Sequence, residues 1–144
     1  MTNEETLAHV DLFSTLTKRE LQTLATSCQQ RSFSAGTTII AQGDGGVGLY
    51  VLKTGKVRIS RASHPDRAEE ELGEVSAIDV LGEMALLDDL PRSASVVALE
   101  DVDMLLLPIW EFRTVLRNHP DMALKLLAAM SRRLRKAEAR HNEL

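Results

Sequence analysis

Residues 43–59 read Gly43-Asp44-Gly45-Gly46-Val47-Gly48-Leu49-Tyr50-Val51-Leu52-Lys53-Thr54-Gly55-Lys56-Val57-Arg58-Ile59. The first six are a literal G-x-G-x-x-G, the spacing that brings backbone close to a dinucleotide pyrophosphate in a Rossmann unit. That fingerprint needs a helix opening directly after the glycines, because the phosphates sit on the helix N-terminus. Residues 49–59 are instead rich in β-formers and broken by a Thr54-Gly55 turn, so the stretch predicts a turn and then a strand pair. Glu69 and Glu70 fall where a ribose-binding acid is expected after the fingerprint. They lie in a polar, charged segment, Arg61–Glu70, whose Pro65 marks an exposed hairpin loop. The glycines are therefore read as the means by which the chain reverses before Leu49, and the fold as β.

The same texture extends on both sides. Phe33–Gly36, Thr37–Ala41, Leu72 and Val75, Ser93–Leu99 and Met104–Leu107 are short apolar stretches between turns, the last two joined by the acidic turn Glu100–Asp103. Upstream, a threonine N-cap candidate in Thr15-Leu16-Thr17 precedes Leu21, Leu24 and Ala25 at helical spacing, predicting a short amphipathic helix over about 16–28 that covers an edge. After Pro108 the period becomes helical. Trp110, Phe112, Val115 and Leu116 predict one helix ending near Asn118, with Trp110 and Phe112 anchoring it to the barrel. Pro120 opens another that runs to the C-terminus. Ala123, Leu127, Met130, Leu134, Ala137 and His141 recur in that helix at steps of four and three, a heptad seam that suits either a partner helix or the chain's own barrel.

Composition narrows the function. The chain has 144 residues, 44% of them hydrophobic, which is enough for one ordinary core. Seventeen Lys and Arg against twenty-one Asp and Glu give a net charge of -4, so no global positive field draws it to nucleic acid or an anionic membrane. Cys28 is the single cysteine and excludes an internal disulfide; the acidic start, without a basic and apolar leader, points to a cytoplasmic protein. Cys28 itself reads as a small buried thiol rather than a nucleophile. His9, His64, His119 and His141 are scattered without metal-ligand spacing, which disfavours a metal-dependent jelly-roll enzyme.

The chemistry concentrates in residues 81–96, LGEMALLDDLPRSASV. Gly82 permits close backbone approach, and Glu83–Leu87 are good helix formers, enough for one turn whose free N–H groups face an anion. Arg92 follows a short acidic loop and Pro91 at the start of the next strand, where a guanidinium meets the same anion bidentately. The plain alternative is that Glu83 and Arg92 pair with each other. Asp88 and Asp89 have no cleft-forming context for acid–base work.

This stretch resembles the phosphate-binding cassette of the cyclic-nucleotide-binding domain family, the sensor domains of catabolite activator and protein kinase A regulatory subunit type. Phe33, Gly36, Ile39, Gln42-Gly43-Asp44, Leu49-Tyr50-Val51, Gly55-Lys56-Val57 and Ile59 resemble that family's first strands, so the likeness runs from about residue 12 to the end. The resemblance implies a mainly β fold, a double-stranded β-helix or jelly roll of about eight strands. It also implies flanking N-terminal helices and a long C-terminal helix. Residues 12–119 form helix and jelly roll, residues 120–144 the signalling and dimerisation helix, all in one domain spanning 1–144.

It implies a non-catalytic regulatory module that takes a 3′,5′-cyclic nucleotide as ligand and needs no cofactor or metal. Glu83 would accept the ribose 2′-hydroxyl and Arg92 would neutralise the cyclic phosphate, while Gly82, Met84, Ala85, Ser93 and Ala94 frame them. Arg133 falls where bacterial sensors place an arginine that reaches the ligand or Glu83; the alternative is surface charge. Leu81 replaces an aromatic residue and Ile78 a Gly-Asp turn. Ser93 is similar to bacterial cyclic-AMP sensors, which favours cAMP over cGMP, although a hydroxyl there also suits a syn guanine. Ala137 and Glu138 stand where the transcription-factor branch supplies adenine-contacting hydroxyls, so that base recognition is not reproduced.

The implied partners are the nucleotide and a second copy through the C-terminal helix, with no membrane and no direct nucleic acid. The basic run Arg132, Arg133, Arg135, Lys136 and Arg140 reads as the solvated rim of the seam. With no output segment read beyond that helix, the chain is expected to be either a stand-alone module or part of a longer protein. The alternative function is a ligand-free jelly-roll interaction domain.

Overall fold

The computed structural model describes residues 2–63, 68, 70–76, 78–81, 86 and 92–142, with side chains as far as 140. Helix α1 (Asn3–Leu7), a 3-10 turn at Asp11–Phe13 and α2 (Lys18–Ala25) precede β1 (Gln29–Phe33), β2 (Thr38–Ile40), β3 (Gly48–Thr54) and β4 (Lys56–Arg61). Then come β5 (Glu70–Ser76), β6 (Asp79–Leu81), β7 (Ser95–Ala98), β8 (Val102–Pro108), α3 (Ile109–Asn118) and α4 (Pro120–Asn142). The strands make two antiparallel four-stranded sheets in the orders β1-β8-β3-β6 and β2-β7-β4-β5. This is the expected jelly roll with helices at both ends of the chain.

Alternation in β3 and β8 explains the layering. Tyr50, Leu52, Met104 and Leu106 face the second sheet, packing with Ile40, Val57, Leu81, Val96 and Ala98. Leu49, Val51, Leu105 and Leu107 point the other way and join Leu7, Phe13, Leu24, Phe112, Met122 and Leu126 from the helices. The first sheet is thus buried on both faces, which is why its central strands read as continuous apolar runs and not as alternations.

The N-terminal helices are fixed by their caps. Thr17 Oγ1 accepts from Glu20 N–H and Thr17 N–H donates to Glu20 Oε1, a complete capping box that starts α2 at Lys18. The same Glu20 oxygen accepts from Lys125 Nζ at 2.6 Å, tying α4 to α2.

Several expectations are corrected. The first strand is Gln29–Phe33, earlier than Phe33–Gly36; it is polar because it is an edge strand paired only to β8. Helix α2 ends at Ala25, shorter than the predicted 16–28. Phe112 is 1% exposed and meets Phe13 at 6.2 Å between ring centroids, but Trp110, in the first turn of α3, is 58% exposed and lies outside the core formed by the described residues. On α4 the stripe docked on the body is Met122, Leu126 and Ala129, whereas the seam positions Leu127 and Leu134 are 66% and 61% exposed. Met130, also in the seam, is half-buried against the core. His141, the last seam position, has no described side chain.

Glu20 titrates below its ordinary value, first through the Lys125 hydrogen bond and then through the Thr17 backbone N–H. A carboxylate depressed in the folded state stabilises it above the unfolded pKa and loses that contribution as pH falls through the folded one. Lys125→Met is therefore expected to lower unfolding free energy at neutral pH by up to about 1 kcal/mol. The gap to wild type closes as the solution is acidified below the carboxylate range, as read by urea unfolding at both pH values.

Candidate functional site

Arg92 is the one arginine in the buried class among the described residues, at 8% exposure. Its position is dictated by the glycine loop. Gly43, at φ +89°, turns the chain so that its N–H donates to the Arg92 carbonyl at 2.9 Å while Asp44 C=O accepts the Arg92 N–H at 2.9 Å. At the far end of the loop the Gly48 carbonyl accepts from Arg92 Nη2 at 2.5 Å. The literal dinucleotide fingerprint thus clasps an arginine by backbone and by guanidinium, and a strand succeeds it, not a helix.

Gly48 is required by close approach. A Cβ there would collide with the Leu107 carbonyl oxygen and lie 2.9 Å from the Pro108 Cα, where β3 runs beside the end of β8. Next to it, Val47 C=O accepts from Ile109 N–H at 2.9 Å, so the loop that holds Arg92 also receives the first residue of α3.

Burial lowers the Arg92 pKa, with Tyr50 opposing the shift; burial raises that of Tyr50, with Arg92 and Arg31 opposing. A desolvated guanidinium favours an anionic partner. A pocket of about 170 Å³ beside it is lined by Ile39, Ile40, Asp44, Val47, Tyr50 and Arg92, among others. A larger cavity, about 290 Å³ between α2 and the α3–α4 junction, contains none of the site residues named from the sequence.

Of those residues, Gly82, Glu83, Met84 and Ala85 lie outside the described residues. Arg92, Ser93 and Ala94 are consecutive where the chain enters β7, with Ser93 exposed and Ala94 half-buried. Arg133 Nε and Nη2 both donate to Asp11 Oδ2 at 3.3 Å, joining α4 to the 3-10 turn. It is not among the described residues lining the pocket beside Arg92. Cys28 is half-buried, its thiol pushed up to about 12 by desolvation, and therefore inert. Among the described residues no three His, Cys, Asp or Glu side chains are grouped to hold a metal, and no helix is long and apolar enough to cross a membrane.

Sequence reasoning missed Leu86 and Gln42. Leu86, inside the cassette, is 2% exposed and packs in the core shared with Phe112, Met122 and Leu126. Its signal was an apolar residue in a segment read for helix formation and ligand contact but not for packing. Gln42 pairs its carboxamide with the backbone N–H and C=O of Ala62, a contact no local pattern encodes.

Residues 30–119 match the family model described as cyclic nucleotide-binding domain. The chain belongs to that family. It is 38% identical over 127 residues, 88% of its own length, to a cyclic AMP receptor protein of Thermus thermophilus, and spans 58% of that relative. It is 36% identical over 99 residues to a cAMP-dependent protein kinase regulatory subunit of Colletotrichum orbiculare, covering 69% of this chain and 24% of that one. The N-terminal domain of a transcriptional regulator from Streptomyces coelicolor A3(2) superposes with a TM-score of 0.85 at 34% identity, covering 94% of each chain. The chain thus spans less than two thirds of the bacterial curated relatives it matches.

Gly48→Ala should destabilise the fold by more than about 2 kcal/mol, since the clash is with backbone and the strain adds to it. Gly45→Ala, where a Cβ meets nothing within 4 Å, should stay within about 0.5 kcal/mol of wild type. Thermal unfolding of the two variants makes the comparison.

Proposed function

We propose that this chain is a cytoplasmic regulatory sensor module that binds a 3′,5′-cyclic nucleotide, cAMP in preference to cGMP, and transmits binding through its C-terminal helix. The observation that carries the reading is the buried Arg92, clasped by the glycine loop and stripped of water. A cyclic phosphodiester bears one negative charge, so one preorganised guanidinium with a turn of free N–H groups suffices. Glu83 accepts the ribose 2′-hydroxyl, Gly82, Met84, Ala85, Ser93 and Ala94 frame the sugar phosphate, and Arg133 reaches toward the ligand or Glu83 from α4. The preference for cAMP is supported by Ser93 and by the names of the Thermus and Colletotrichum relatives.

Transmission requires that the ligand favour one arrangement of the helices over another. Two connections leave the site: Val47 C=O to Ile109 N–H at the head of α3, and Leu86 in the core under α3 and α4. Residues 1–144 act as one unit, 12–119 receiving the ligand and 120–144 carrying the output. No catalytic step is assigned, and the exposed Arg132, Arg135, Lys136 and Arg140 of α4 are solvated rim.

Titration calorimetry tests the ligand. Wild type should bind cAMP more tightly than cGMP, and Arg92→Ala should lose about 2–5 kcal/mol of binding free energy. If neither nucleotide binds, the reading is overturned in favour of a ligand-free interaction domain.

The exposed Leu127 and Leu134 support a homodimer through α4. Sedimentation should give a dimer for wild type and a monomer for the Leu127→Glu, Leu134→Glu double variant.

A further inference from the structure

Gln42 has no role in the proposed ligand contacts, yet its bonds converge on the anion site. Its Nε2 donates to the Ala62 carbonyl at 2.9 Å and its Oε1 accepts the Ala62 N–H at 2.8 Å, so one carboxamide satisfies both backbone groups of Ala62 as a residue on a neighbouring antiparallel strand would. Its own N–H donates to Ser95 Oγ at 2.9 Å, at the start of β7. The next two residues, Gly43 and Asp44, hold Arg92 through N–H and C=O. One short segment therefore ties the end of β4, the start of β7 and the arginine together.

The chemistry selects glutamine. Only a carboxamide presents a donor and an acceptor in the spacing of a peptide edge; glutamate lacks the donor, and asparagine is one methylene shorter. These bonds are half-buried, where losing one leaves Ala62 groups without a partner.

We propose that Gln42 is a positioning residue for Arg92: by pairing with Ala62 it fixes the Gly43-Asp44 turn, and the turn fixes the arginine in the geometry that receives an anion. Identifying that anion as a cyclic nucleotide rests on the proposed sensor function; the positioning itself does not. Preorganisation of this kind appears as affinity, because the ordering of the site is complete before the ligand arrives.

The test uses the full chain and Gln42→Met, which keeps length and bulk but removes both side-chain bonds. In the ligand-free protein, amide hydrogen exchange at Gly43 and Arg92 should accelerate about ten-fold or more while Val51 and Leu105 exchange as in wild type. The Kd for cAMP should rise by about ten-fold. Gln42→Glu, which keeps the acceptor for Ala62 N–H, serves as the second variant if the methionine form does not fold, with the same expectations.

Unchanged exchange at Gly43 and Arg92 overturns the proposal, as does unchanged cAMP affinity. A wild type that binds no cAMP overturns the nucleotide reading alone, and the exchange result then decides the role of Gln42.

Discussion

Burial of the first sheet on both faces is the constraint on which the rest of the molecule depends. Strands β3 and β8 give alternate side chains to two cores, one shared with the second sheet and one with the helices. Neither core survives without those strands, so the jelly roll and its helical cover are one cooperative object. The close contact of Gly48 with the backbone at Leu107 belongs to this arrangement, since it lets β3 begin where β8 ends and the chain passes into α3. The helical layer is thus connected to the barrel at the same corner that holds Arg92.

That corner carries the electrostatics. A guanidinium removed from water is costly unless hydrogen-bonded and offered a counter-charge. Here the loop 43–48 supplies carbonyl acceptance from one side and backbone bonds from the other. Gly48 presents its carbonyl to the guanidinium, while Gly43 and Asp44 bond the Arg92 backbone. In a phosphate cradle N–H groups would face the ligand instead.

Much of this was legible in the sequence, for identifiable reasons. Leu49-Tyr50-Val51-Leu52 after the glycines excluded a Rossmann helix, and Pro108 and Pro120 marked where the helices begin. Arg92 stood out because Pro91-Arg92-Ser93 comes after a turn-forming stretch. What escaped was set by tertiary context. The edge strand Gln29–Phe33 has no apolar pattern because three of its five residues face solvent. Trp110 looked like an anchor because large aromatics usually are, and only its place on the outer side of α3 decides otherwise. Arg133 donates to Asp11, 122 residues away in the chain, a pairing that no local pattern encodes.

Helix α4 carries two apolar stripes, Met122, Leu126 and Ala129 against the body and Leu124, Leu127 and Leu134 outward. Adjacent positions on a helix are separated by about 100°, so turning α4 about its axis to bring Leu127 inward would expose Leu126 to water. Lys125 and Arg133, bonded to Glu20 and Asp11, would be carried off their partners by the same turn. The helix is thereby denied rolling as a cheap motion. Tilting or sliding along its seat would instead keep Met122, Leu126 and Ala129 against the body while moving the outer leucines with the helix.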